Sequence, residues 1–176
     1  KRLDDRFRLL TGGARTALPR QQTLRALIDW SYDHLTENEQ LLLRRLSVFM
    51  GGWTLEAAEE VCVGQDDILS YDILDLLTQL VNKSLIVVVE HSQSGETRYR
   101  YLETIRQYAR EKLLEAGGSE SIRDRHLAYF VKLAEQSEHE LYRSNQAFWF
   151  NKLDEEIDNF RMAREWALAT NVEAGL

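Results

Sequence analysis

Between Leu85 and Leu102 the hydrophobic period of this chain switches from helical to extended and back, which confines it to folds with one β-hairpin set among helices. Leu85-Ile86-Val87-Val88-Val89 is short and β-branched, and reads as a strand. His91-Ser92-Gln93-Ser94-Gly95-Glu96 supplies a turn. Arg98-Tyr99-Arg100-Tyr101-Leu102 alternates charged and aromatic residues, the period of a half-buried strand. The complementary second strand explains Leu85–Val89 and the following Glu90 better than the apolar strand and acid of a nucleotide-hydrolysis motif.

Helical spacing begins at Thr23, with Leu24, Leu27, Ile28 and Leu35. Thr36-Glu37-Asn38-Glu39 has the form of a capping box and opens a helix through Leu41, Leu42, Arg45, Leu46 and Phe49, which Gly51-Gly52 ends. Thr54 is placed to cap a short helix from Leu55 to Val61. After the polar break Gly64-Gln65-Asp66-Asp67, Ile68, Leu69, Ile73, Leu76, Leu77, Leu80 and Val81 predict another. Beyond the hairpin, Thr104-x-x-Gln107 predicts a second capping box, and Gly117-Gly118 closes its helix. Packed helices followed by a two-stranded wing make the order of a winged helix-turn-helix, with Leu55–Val61 and Ile68–Leu80 as the helix-turn-helix pair.

After Gly118 the spacing is helical throughout. Ser119 is expected to cap one helix, and a pair follows from Asn145 to about Leu153 and from Asp154 to about Ala169. Such pairs suggest stacked helical repeats. Phe148, Trp149, Phe160 and Trp166 are expected mostly to fill core. The expected fold is mainly α: a winged helix over residues 23–116, then an α-helical repeat-like hairpin over residues 119–176, with residues 1–22 as a connector. Thr11-Gly12-Gly13 and Pro19 break periodicity in that connector.

No catalytic or metal site emerges. There is no G-x-x-x-x-G-K-[ST] phosphate loop, and Thr11-Gly12-Gly13-Ala14-Arg15-Thr16 lacks the gripping lysine. His34, His91, His126 and His139 form no ligand-spaced pair, and Cys62, the only cysteine, is expected to be a buried thiol. A single thiol suits a reducing cytoplasm. No apolar run reaches the roughly 20 residues of a membrane helix. The chain lacks an initiator methionine and reads as a piece of a longer protein.

A winged helix invites the expectation of DNA binding, but charge opposes it here. The net charge is −7. From Thr54 to Asn82 there are Glu56, Glu59, Glu60, Asp66, Asp67, Asp72 and Asp75 and no Lys or Arg. Affinity for a duplex comes largely from cations displacing counterions from phosphates. The candidate wing contacts are Arg98 and Arg100, with Arg44 and Arg45 earlier; the alternative is that the wing arginines line a solvated strand face.

Several blocks carry a family resemblance. The stretch from Leu9-Leu10-Thr11-Gly12-Gly13-Ala14-Arg15-Thr16 to Asp29-Trp30-Ser31-Tyr32 resembles the segment after the nucleotide-binding core of bacterial STAND signal-transduction ATPases, especially LuxR- and SARP-type transcriptional regulators. Leu46-Ser47-Val48-Phe49-x-Gly51-Gly52-Trp53, Leu77-x-x-Leu80-Val81-x-Lys83-Ser84-Leu85, Tyr101-Leu102-Glu103-Thr104-Ile105-Arg106-Gln107-Tyr108-Ala109 and Trp149-x-x-x-Leu153-x-x-Glu156-x-Asp158-Asn159-Phe160-Arg161-x-Ala163 resemble further blocks. The resemblance implies a winged helix packed on an ATPase core, then a tetratricopeptide-like arm. Leu102-Glu103-Thr104 matches the place where related proteins carry a Met-His-Asp motif that senses the nucleotide phosphate, so these three residues are candidate contacts to the core. The His is absent, and Glu103 would repel a phosphate.

The expectation is therefore a non-catalytic regulatory segment whose partners are the ATPase core, the helical arm and other proteins. It takes no cofactor itself; ATP or ADP is implied for the parent. DNA would be met through another domain of the parent, and direct DNA binding is the alternative. A cytoplasmic location and no membrane contact complete the expectation.

Overall fold

The computed structural model describes residues 19–64, 68–89, 92–141 and 145–170. The Thr11-Gly12-Gly13 connector, Asp66, Asp67, Glu90 and His91 lie outside the described residues. The chain divides into two units, Lys1–Thr36 and Glu37–Leu176. The first holds helix α1 (Pro19–Asp33), in which Ser31 Oγ donates back to the carbonyl of Leu27 at 2.9 Å. Leu24, Leu27 and Trp30 form an exposed apolar stripe at spacings of three along α1, Trp30 with 62% of its surface open.

The second unit runs α2 (Glu37–Leu46), β1 (Trp53–Thr54), α3 (Leu55–Cys62), α4 (Ser70–Asn82), β2 (Ile86–Val89), β3 (Arg98–Tyr101), α5 (Glu103–Ala116), α6 (Ser119–Glu140), α7 (Gln146–Glu155) and α8 (Ile157–Thr170). The expected hairpin is present: β2 pairs antiparallel with β3, from Ile86 opposite Tyr101 to Val89 opposite Arg98. A two-residue strand that sequence spacing did not announce, β1, pairs with the other edge of β3, giving the order β1-β3-β2.

Local chemistry explains the boundaries. Thr54 Oγ1 accepts from Ala57 N at 3.2 Å and caps α3, as its sequence position predicts. Gly52 turns the chain into β1 at φ +126°, and a Cβ there would lie 2.7 Å from the carbonyl oxygen of Tyr99. The expected capping box at Thr104 does not form. The N-cap position falls two residues earlier, at Leu102, and α5 begins at Glu103 without a side-chain cap, because β3 runs through Tyr101 and leaves no room for a separate cap turn. Ser119 is likewise the first helical residue of α6, with Gly118 in the left-handed region before it.

The core joins the helices to the sheet. Phe49 and Trp53 stack at 5.6 Å, Trp53 meets Tyr101 at 5.0 Å, and Phe130 of α6 packs edge-on against Phe49. Leu42, Leu43, Leu46, Ile73, Leu77 and Leu80 fill the space between α2 and α4. Tyr101 donates through its hydroxyl to the carbonyl of Leu43 at 2.6 Å, which satisfies its polar end inside the core. Cys62 is fully buried as expected, and burial pushes its thiol up to about 12.

The boundary expected between residues 116 and 119 falls inside the second unit. Helices α6–α8 are clamped to the wing and to the loop before β1 by polar contacts as well as by Phe130. Phe148, Trp149, Phe160 and Trp166 are half-buried rather than core-filling, because α7 and α8 lie at the outside of the packed helices.

Candidate interaction surfaces of the helix-turn-helix and wing

Helix α4 occupies the recognition position of the helix-turn-helix. Its apolar positions Ile73, Leu76, Leu77 and Leu80 repeat at helical spacing and turn inward. The same spacing leaves Tyr71, Leu74, Asp75, Thr78, Gln79 and Asn82 outward. Tyr71 is 76% exposed and Leu74 47%. This face is apolar and amide-bearing with one full carboxylate on it, and it carries no cation.

The flanking carboxylates do not fold away. Glu56, Glu60 and Asp75 are exposed, and Asp72 and Glu59 are half-buried. Glu60 faces Lys132 at 3.7 Å, and Glu56 faces Lys152 at 3.8 Å, so α6 and α7 neutralise part of this surface from the arm side. Lys83, the first cation after α4, gives both short bonds, 2.6 and 2.8 Å, to the carboxylate of Glu39. Glu39 is sealed from solvent, so Lys83 balances a buried charge and is not free to reach a phosphate.

The two wing arginines separate. Arg100 points outward from β3. Arg98, whose alternation suggested an outward face, is only 4% exposed. Its guanidinium donates to Glu156, and to the backbone carbonyl of Glu155 at 3.3 Å. The reason is tertiary: the joint between α7 and α8 covers that edge of the wing and brings carboxylates to it. Glu155 also accepts from Ser94 Oγ at 2.7 Å and from the turn amide of Gln93. Burial alone would raise the Glu155 carboxyl, but these donors, together with Ser92 and Arg98, hold it below the usual range.

A second polar clamp sits one turn along. Asn159 accepts from Met50 N at 2.6 Å and donates to the carbonyl of Gly52 at 2.8 Å and to Glu156 at 2.6 Å. Lys152, itself buried, donates to Glu96 at 3.0 Å. Sequence spacing gave no sign of these partners, although Glu156 and Asn159 stand inside one of the blocks that carry the family resemblance.

Leu102, Glu103 and Thr104 lie together at the start of α5. Leu102 and Glu103 are exposed and Thr104 is half-buried. Arg106 grips Glu103 with two bonds, 2.8 and 3.0 Å, and Gln107 adds a third at 3.1 Å. Burial opposes ionisation of Glu103, yet the bonds from Arg106 and Gln107 and the nearby Arg110 leave its carboxyl below the usual range. Glu103 is thus an ionised, internally satisfied carboxylate. Among the described residues no group of His, Cys, Asp and Glu is arranged to hold a metal ion, and no helix is long and apolar enough to cross a membrane.

Residues 35–114 match the family model described as a winged helix-turn-helix domain. Over 165 residues, 94% of its length, the chain is 47% identical to the Mycobacterium tuberculosis (strain H37Rv) protein named "Putative HTH-type transcriptional regulator Rv0890c", and it spans 18% of that protein. It is 41% identical over 120 residues to "Uncharacterized protein Rv0894" of the same strain, which covers 68% of this chain and 30% of that protein. The chain therefore spans well under half the length of these relatives. No solved structure matches it. With its three-strand sheet, its α3–α4 pair and this match, the chain has the architecture of a winged helix-turn-helix domain over residues 35–114 and is similar to proteins named "Putative HTH-type transcriptional regulator".

Proposed function

We propose that this chain is a non-catalytic, protein-contacting segment of a larger transcriptional regulator of the STAND ATPase type. In this reading the winged helix responds to the nucleotide state of a core that holds ATP or ADP, and the helical arm conveys an input or partner to it. The observation that carries the reading is the outward face of α4, where Tyr71 and Leu74 stand in place of lysines and arginines. An exposed aromatic and a leucine beside carboxylates suit a protein surface; phosphates would be repelled. The exposed stripe of Leu24, Leu27 and Trp30 on α1 supports a second contact with protein. Leu102, Glu103 and Thr104 are the proposed contact toward the core, with Glu103 serving through Arg106 rather than by meeting a phosphate directly. The one thiol, buried and unpaired in any disulfide, suits a cytoplasmic setting.

The test is association in the longer protein that carries this segment. Tyr71→Ser with Leu74→Ser is expected to weaken its nucleotide-dependent contact with the core, read by cross-linking in ATP and in ADP. An unchanged contact pattern would remove the α4 face from the proposal.

Direct DNA binding is the second reading. It is supported by the winged helix-turn-helix match, by the naming of the relatives and by the exposed Arg100. Selection from random duplexes at low salt, followed by a mobility shift, separates the two. Sequence-specific retention with a steep salt dependence would establish the second reading and overturn the first.

A further inference from the structure

A cavity of about 240 Å³ lies between α5, α6, α8 and the loop after α2. Three arginines line it: Arg106 and Arg110 from α5, and Arg123 from α6. Arg106 is bound to Glu103. The Arg110 guanidinium is held below its usual range by burial first, then by Arg123 and Arg106; Glu103 and Glu165 act the other way and more weakly. Cations thus outnumber the carboxylates that face them, Glu165 on the wall included. Arg110 is itself solvent-exposed, so water screens part of this crowding, and an anion in the cavity would relieve the rest.

His126, which is buried, also lines the cavity. Apart from Ser47 the remaining wall is apolar, with Leu113, Met162 and the face of Trp166, over which Arg123 sits at 4.9 Å. The volume is below the roughly 300–1,000 Å³ of drug-sized sites and well above the ~30 Å³ of one water.

We infer that this cavity is a binding site for a small organic anion, whose carboxylate or phosphate group meets Arg110 and Arg123 and whose short apolar body lies against Leu113, Met162 and Trp166. The site spans α5, which belongs to the winged helix, and α6 and α8 of the arm, so an occupant ties the two together. This assignment is independent of whether α4 meets protein or DNA.

Calorimetric titration of the whole chain with benzoate, phenyl phosphate and inorganic phosphate, each against chloride at equal ionic strength, tests it. Saturable binding of benzoate or phenyl phosphate is expected, and which of the two binds identifies the head group. Arg110→Gln and Arg123→Gln should each weaken that binding about tenfold, the scale of one charge-assisted hydrogen bond. Arg161→Gln, at an exposed position outside the cavity lining, should leave it unchanged. The ring resonances of His126, which lines the cavity, should shift at saturation, a readout that needs no substitution. No saturable heat with any probe, equal binding by both cavity variants and wild type, or inorganic phosphate matching the organic anions would overturn the assignment.

Discussion

The guanidinium of Arg98, on the wing strand, donates to the carboxylate of Glu156 at the joint of α7 and α8, across 58 residues of chain, and both side chains are closed to solvent. A wing arginine that would ordinarily face a ligand is instead a fastener between winged helix and arm. Removing one partner of a buried ion pair strands the other charge in a poorly solvated place. Arg98→Ala is therefore expected to cost about 3–5 kcal/mol of stability. Urea unfolding with Glu156→Gln as the second arm of a double-mutant cycle checks it; additive effects would show that the pair is not coupled.

Helix α4 offers a paired comparison. Leu77 is fully buried and Leu74 is exposed, three residues apart on one helix. Leu77→Ala should cost about 2–5 kcal/mol, as core truncations do. Leu74→Ala, with nearly half of its surface already in water, should stay within about 0.5 kcal/mol. Comparable losses at the two positions would mean that the outward face is covered in solution.

Gly52 holds a backbone that side chains rarely adopt, and its Cα faces the Tyr99 carbonyl. Gly52→Ala forces both strain and a backbone clash, so a loss of about 1–3 kcal/mol is expected from the dihedral alone. Gly95, at φ +81° but with open space around its Cα, should lose less on the same change. Thermal unfolding of the two variants ranks them.

Acid stability should carry a histidine signature. Burial lowers His126 from 6.5 to about 4, partly offset by Asn159. The folded value lies below the unfolded one, so between those values the unfolded chain binds more protons. The stabilising contribution is complete above about pH 6.5 and is lost as pH falls toward about 4. Glu155 and Glu103, depressed in the folded state, lose their contributions lower, as pH falls from the ordinary carboxylate range through their folded values. His126→Leu should flatten the stability profile between about pH 6.5 and 5 and leave the lower, carboxylate-driven fall. A profile of unchanged slope would place the transition on other groups.

Much of the winged helix was legible because its signals act within a few residues. The β-branched run at Ile86–Val89, the Thr54 cap, the inward face of α4 and the burial of Cys62 each follow from local spacing or a hydrogen bond three residues away. The absence of cations from Thr54 to Asn82 is likewise a property of the chain, and the structure keeps it on the surface.

Tertiary contact alone decided the rest. The strand β1 is too short to have a period and exists because Trp53 and Thr54 find Tyr99 and Arg98. Alternation placed Arg98 outward, but two carboxylates from a distant joint reversed it, since a paired and covered guanidinium no longer needs water. The cavity beside His126 collects residues from α5, α6 and α8, and no local pattern forecasts which side chains meet there. Sequence determines the faces an element shows; which faces close on one another depends on packing between residues far apart in the chain.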